Sequence, residues 1–237
     1  MRSMHKLKAI GICALLFGAM TVPASGAHAA EWMVSNSDIG ASEPQIDWTL
    51  ETSGKTLLTE INKIRVEIVC NASELVGLRL KSGGISTTGK AKFTGCKVFK
   101  NLIPGLEELP CSIKTPSQAA ETIVSEEFKL QLELHKSGRP ITLILPTNGE
   151  EKLALLELAG AECVLPSDVK LFGKMVVEDA ESKAETERER HLIKEDWVAS
   201  GLFVISETLE HFVTIDGSAN VFLTGGSSGL NWSGLAG

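Results

Sequence analysis

Apolar and polar residues alternate strictly along Phe128-Lys-Leu-Gln-Leu-Glu-Leu-His135, as they do in a strand with one buried face. Ser137-Gly138 then supplies a two-residue turn, and Ile141 to Leu145 is apolar but for Thr142. Pro146-Thr-Asn-Gly149 makes a second turn before Leu153 to Leu158. Three apolar strands joined by glycine-bearing turns predict an antiparallel meander. The alternation recurs from Ile64 to Cys70, with 64, 66, 68 and 70 on the inward parity. From Lys90 to Cys96 the inward set is Ala91, Phe93 and Gly95, so Cys96 faces outward or ends the strand. Further strands are expected over Ile46 to Thr52, Leu75 to Leu80, Val169 to Val177, Ala219 to Leu223 and Gly201 to Ser206. The expected class is all-β, an antiparallel sandwich or closed barrel of about ten to twelve strands.

One stretch departs from this pattern. Glu178 to Asp196 is the most charged part of the chain and has no apolar face before Leu192. A helix would gain Glu185–Arg188 and Glu187–Arg190 pairs at i,i+3. A strand would place Glu185, Glu187 and Glu189 on one side, opposite Arg188 and Arg190. Either way 178–196 is expected to be a solvated excursion, hairpin or helix. A fainter echo links Gly89-Lys-Ala-Lys-Phe-Thr-Gly95 to Gly217-Ser-Ala-Asn-Val-Phe-Leu-Thr-Gly225, and two similar glycine-bounded strands account for it.

The N-terminus changes the reading of everything after it. Arg2, Lys6 and Lys8 precede an apolar run from Ala9 to Val22, then Pro23 and Ala27-His28-Ala29. This is the order of a secretory signal peptide, and the run is shorter than the ~20 residues a spanning helix needs. Cleavage near Ala29 is expected, giving a secreted or extracytoplasmic protein with no later apolar run of spanning length. Cys13 would leave with the leader, and Ile12 beside it makes a poor lipid-attachment context. The expected organisation is a leader (1–29), an N-terminal arm (30–44) and a single disulfide-stapled β domain (45–237). Without the leader, 20 basic residues face 30 acidic ones, so the chain is more acidic than the precursor's −7. That balance argues against nucleic acid and anionic lipid as partners. No acidic calcium loop of the D-x-[DN]-x-[DN]-G type occurs.

Cys70, Cys96, Cys111 and Cys163 remain, an even number that suggests two disulfides in an oxidising compartment. An inward Cys70 and an outward Cys96 make unlike partners. The expected bridges are therefore Cys96–Cys111, stapling the loop between them, and Cys70–Cys163, a longer core link. No C-x₂₋₄-C pair favours a metal instead.

Candidate chemistry is sparse, and neither catalytic residues nor cofactors are expected. Gly225-Gly-Ser-Ser-Gly229 spells G-x-S-x-G, yet no Asp, Glu or His follows it, so it reads as a turn. His135, His191 and His211 form no metal or catalytic motif. Trp32, Trp48, Trp197 and Trp232 are expected in cores or at edges, with stacking on sugars as the alternative. Asn71-Ala-Ser73 and Asn231-Trp-Ser233 are N-glycosylation sequons by spelling.

The leader, Gly89-Lys-Ala-Lys-Phe-Thr-Gly-Cys96, Pro110-Cys-Ser-Ile113, Ala159-Gly-Ala-Glu-Cys163 and the Gly217–Gly225 tail together resemble a group of uncharacterised secreted proteins of high-GC Gram-positive soil bacteria. The resemblance implies a disulfide-bearing β domain outside the cell and brings no assigned activity. The expected function is that of an exported non-catalytic β protein, a binding or cell-envelope component with possible cell-wall or polysaccharide contact. The alternatives are a carbohydrate-binding or carbohydrate-cleaving domain using Trp48, Trp197 or Trp232, and a carrier of apolar small ligands.

Overall fold

The computed structural model describes residues 30–50, 57–61, 63–102, 105–135, 140–179, 188–193, 203–206, 209–214 and 217–236. Expectations for the leader therefore fall outside the described residues. Within them the chain forms 23 strands and one 3₁₀ turn, with no α-helix. The all-β expectation holds. The strands are shorter and more numerous than the sequence suggests, and they form three sheets, none closed into a barrel.

The largest sheet has twelve strands, running from the exposed edge Gly105–Glu108 through Lys97–Leu102 and Ile64–Val69 to Lys90–Thr94 and Ala72–Val76 at the other end. An eight-stranded sheet runs from Gln45–Leu50 through Gly217–Thr224, Arg188–Ile193, Met175–Asp179 and Pro140–Pro146 to Phe128–Leu134 and two short strands. The third sheet joins Ser37–Asp38, Ala30–Val34 and Trp232–Ala236. Pairing is antiparallel except where Ser112–Lys114 meets Thr122–Val124. The outer strands of the eight-stranded sheet approach each other through an isolated Gln45↔Arg79 bridge and the bonds Ile46 N→Leu78 O and Leu80 N→Pro44 O.

Two large cores result, and the chain alternates between them. Trp32, Ile39 and Ile46 belong to one, and Ile61, Val66, Ile68 and Cys70 to the other. Leu75 to Ala91 return to the first, Cys96 to Ile123 cross back, and Phe128 to Ile144 return again. Leu153 to Val169, then Val177, then Val204 and Val213, then Val221 to Trp232 continue the alternation. Each long pass of the chain thus contributes one short strand to each core, which is why strands outnumber the alternating segments. Phe93 and Met175 pack against both cores and join them.

This crossing corrects the expected meander. Phe128–Leu134 and Pro140–Pro146 do pair, in the register Phe128↔Pro146 to Leu134↔Pro140. Lys152–Ala159 does not continue them; it pairs with Ser112–Lys114 and Asp168–Phe172 in the other sheet. The turn between is locked by Asn148, whose Oδ1 accepts from Lys152 N at 2.9 Å. Likewise the expected strand Val169 to Val177 breaks into Asp168–Phe172 and Met175–Asp179 about Gly173, one in each sheet. The charged excursion takes the hairpin alternative, because Met175–Asp179 and Arg188–Ile193 pair as Glu178↔Leu192 and Asp179↔His191. Its arms are members of the eight-stranded sheet, while 180–187 and 194–196 lie outside the described residues. The 30–44 stretch carries a core strand, with Trp32 and Ile39 buried, and is built into the domain.

The four cysteines form two disulfides with partners other than those expected: Cys70–Cys96 and Cys111–Cys163 replace Cys96–Cys111 and Cys70–Cys163. The ladders Val69↔Lys97 and Ala72↔Thr94 share one register, so Cys70 and Cys96 face each other between them with Cα atoms 3.9 Å apart. The parity argument failed at Gly95. The strand ends at Thr94, and Gly95 at φ +63° resets the alternation, turning Cys96 into the core. Cys111 precedes a strand whose ladder includes Ser112↔Ala159, which sets it beside the Gly160–Cys163 turn.

Candidate functional site

Strand alternation brings three tryptophans to one cavity. Trp32 is the single fully inward residue of Ala30–Val34, and Trp232 starts the strand paired with it. Their ring centroids lie 6.1 Å apart at an interplanar angle of 51°. Trp32 donates Nε1–H to Ile85 O at 2.9 Å, so its polar edge is satisfied as an aromatic core residue requires. Trp48 shares inward parity with Ile46 on Gln45–Leu50 and tilts against Phe93, centroids 6.1 Å apart. Between Ile46 and Trp48, Asp47 points the other way. Its Oδ1 accepts from Trp48 N and from Leu75 N, both at 2.7 Å, tying Gln45–Leu50 to Ala72–Val76.

Between the tryptophans lies a cavity of about 30 Å³, lined by all three and by Phe128, Thr142 and aliphatic side chains. Almost all of this wall is carbon. The exceptions are the tryptophan indole nitrogens and the hydroxyl of Thr142, which is placed inward by the alternation that also brings in Ile144. Nothing in the sequence marked Thr142 as a site residue. The available signal was a hydroxyl at an inward position of a strand that is apolar on both faces.

Other residues singled out by sequence do not converge. His135 lies half-buried just after Phe128–Leu134, His191 is on a strand of the eight-stranded sheet, and His211 is on one of the twelve-stranded sheet. Trp197 lies outside the described residues. Gly225–Ser227 forms a 3₁₀ turn with no buried residue, in keeping with a turn rather than a nucleophile elbow. Among the described residues no group of three or more His, Cys, Asp and Glu side chains is placed to hold a metal ion. Asn71 and Asn231 are both exposed, each immediately before a strand. Surface charge is arranged as single ion pairs such as Lys92–Glu74 at 2.7 Å and Lys97–Glu108 at 2.9 Å. The hydrogen bond and the negative charge of Glu108 raise the Lys97 pKa above its ordinary value.

No family model, curated protein or solved structure matches the chain. Among the described residues no helix is long and apolar enough to cross a membrane.

Proposed function

We propose that this chain is an exported, non-catalytic β protein that works by binding, outside the cytoplasm or as part of the cell envelope. The observation that carries this reading is the pair of disulfides, Cys70–Cys96 and Cys111–Cys163, built into one core of an all-β frame. Such bridges persist in oxidising compartments and are rare where thiols are kept reduced. The leader-like residues 1–29 and the resemblance to secreted proteins of high-GC Gram-positive soil bacteria support the same address.

Two alternatives are less well supported. A sugar platform needs exposed aromatic faces, whereas among the described tryptophans Trp32 and Trp232 are fully buried and Trp48 is covered in part by Phe93. A carrier of apolar ligands needs a pocket of about 300 Å³ or more, and the tryptophan-lined cavity among the described residues is about 30 Å³.

The test is secretion of the full chain from an export-competent host, followed by fractionation and thiol alkylation without reduction. The expected product is a shortened chain in the medium or envelope with all four cysteines protected. A cytoplasmic product with free thiols would overturn the proposal. Sedimentation with isolated cell wall then distinguishes an envelope component from a freely released one.

A further inference from the structure

We propose that the tryptophan-lined cavity is a built site for water, holding an ordered pair between the Thr142 hydroxyl and the Trp48 indole N–H. This goes beyond the proposed export and binding role and does not depend on it.

Three observations converge. Thr142 is 1% exposed, and its Oγ1 has no hydrogen-bond partner among the described residues. Trp48 Nε1 is likewise buried without a partner there. Both residues line the same cavity. A buried hydroxyl or indole N–H left unpaired is strongly unfavourable, and native proteins satisfy nearly all such groups with protein or ordered water. Strand propensity does not account for the hydroxyl, because valine has the same shape and is as well suited to a strand.

Size and chemistry select the occupant. A water needs about 10–15 Å³ of such volume, so a cavity of about 30 Å³ takes two. Trp48 can only donate, whereas Thr142 can donate and accept. One water accepting from Trp48 Nε1–H and a second exchanging hydrogen bonds with Thr142 and with the first satisfy both side chains. An apolar guest would leave both unpaired.

The test uses the disulfide-bonded, isotope-labelled chain and water-selective NOESY and ROESY spectra. The expected result is a cross-peak from Trp48 Hε1 to water, with the NOE sign of a molecule tumbling with the protein. Thr142→Val should remove it with the melting temperature unchanged or lowered, and Thr142→Ser should keep it. Two results would overturn the proposal: no such cross-peak in the wild-type protein, or a higher melting temperature in Thr142→Val. The wild-type spectrum decides the matter even if a variant fails to fold.

Discussion

Asp47 shows how one side chain can hold two strands together. Its Oδ1 accepts from both Trp48 N and Leu75 N. Removing the acceptor strands two backbone donors at the seam between sheets. Asp47→Ala is therefore expected to lower unfolding free energy by about 1–3 kcal/mol, read as a lower urea midpoint at unchanged slope. Asp47→Asn retains a carbonyl oxygen at that position and should recover most of the loss; equal losses in both variants would show that charge, not hydrogen bonding, matters. Lys97 behaves differently because it is exposed. Glu108 raises its pKa, so the pair's contribution is fully present below the ordinary lysine value of 10.5 and disappears as pH rises through the raised one. Any stability difference between wild type and Lys97→Met should accordingly be constant near neutrality and vanish in strong alkali. A difference that grows with alkalinity would contradict that sign. A core or edge place for Trp32 and a strand starting at Ile46 were legible in the sequence, whereas the Asp47 bonds were not. They depend on which strand lies beside Gln45–Leu50, and periodicity carries no such information.

At the scale of elements, alternation located several of the strands and paired them poorly. Phe128–Leu134 and Pro140–Pro146 lie where their pattern puts them, and they pair as a hairpin. The third member of the expected meander departs because the turn at Asn148 redirects the chain into the other core. The disulfides were misassigned for a related reason: a parity count assumes an unbroken pleat, and Gly95 at φ +63° breaks it one residue before Cys96. Asn71 lies so close that a Cβ on Gly95 would sit 2.7 Å from its Nδ2. Gly95→Ala should consequently combine left-handed strain with a clash and lower the melting temperature clearly, while Gly149→Ala, which meets nothing within 4 Å, should change it little. The bridges themselves span sequence separations of 26 and 52 residues. Loop-closure entropy assigns them about 3.5 and about 4.1 kcal/mol respectively. Non-reducing peptide mapping should join the Cys70 and Cys96 peptides, and replacing Cys111 and Cys163 with serine should cost at least as much stability as replacing Cys70 and Cys96. A fragment joining the Cys96 and Cys111 peptides would refute the observed pairing.

For the whole molecule the decisive feature is that neither core is made of contiguous sequence. The chain leaves and re-enters each core several times, and Phe93 and Met175 touch both. Composition and periodicity could announce a β protein with ample apolar content, but they could not reveal two cores, because every strand looks alike wherever it packs. The arrangement has a thermodynamic consequence. Unfolding one core pulls on strands that continue directly into the other, as Ile64–Val69 continues into Ala72–Val76 across Cys70. The two cores should therefore unfold as one cooperative unit. Leu156 is buried in the core that lacks the described tryptophans, and Leu156→Ala should cost about 2–5 kcal/mol. That loss should appear as the same midpoint shift in tryptophan emission, which reports Trp32, Trp48 and Trp232 in the other core, and in amide exchange of Lys152–Ala159. Coincident shifts are the expected outcome. If the tryptophan transition stays at its wild-type midpoint while Lys152–Ala159 exchanges early, the cores are thermodynamically separate and the crossings between them transmit no stability.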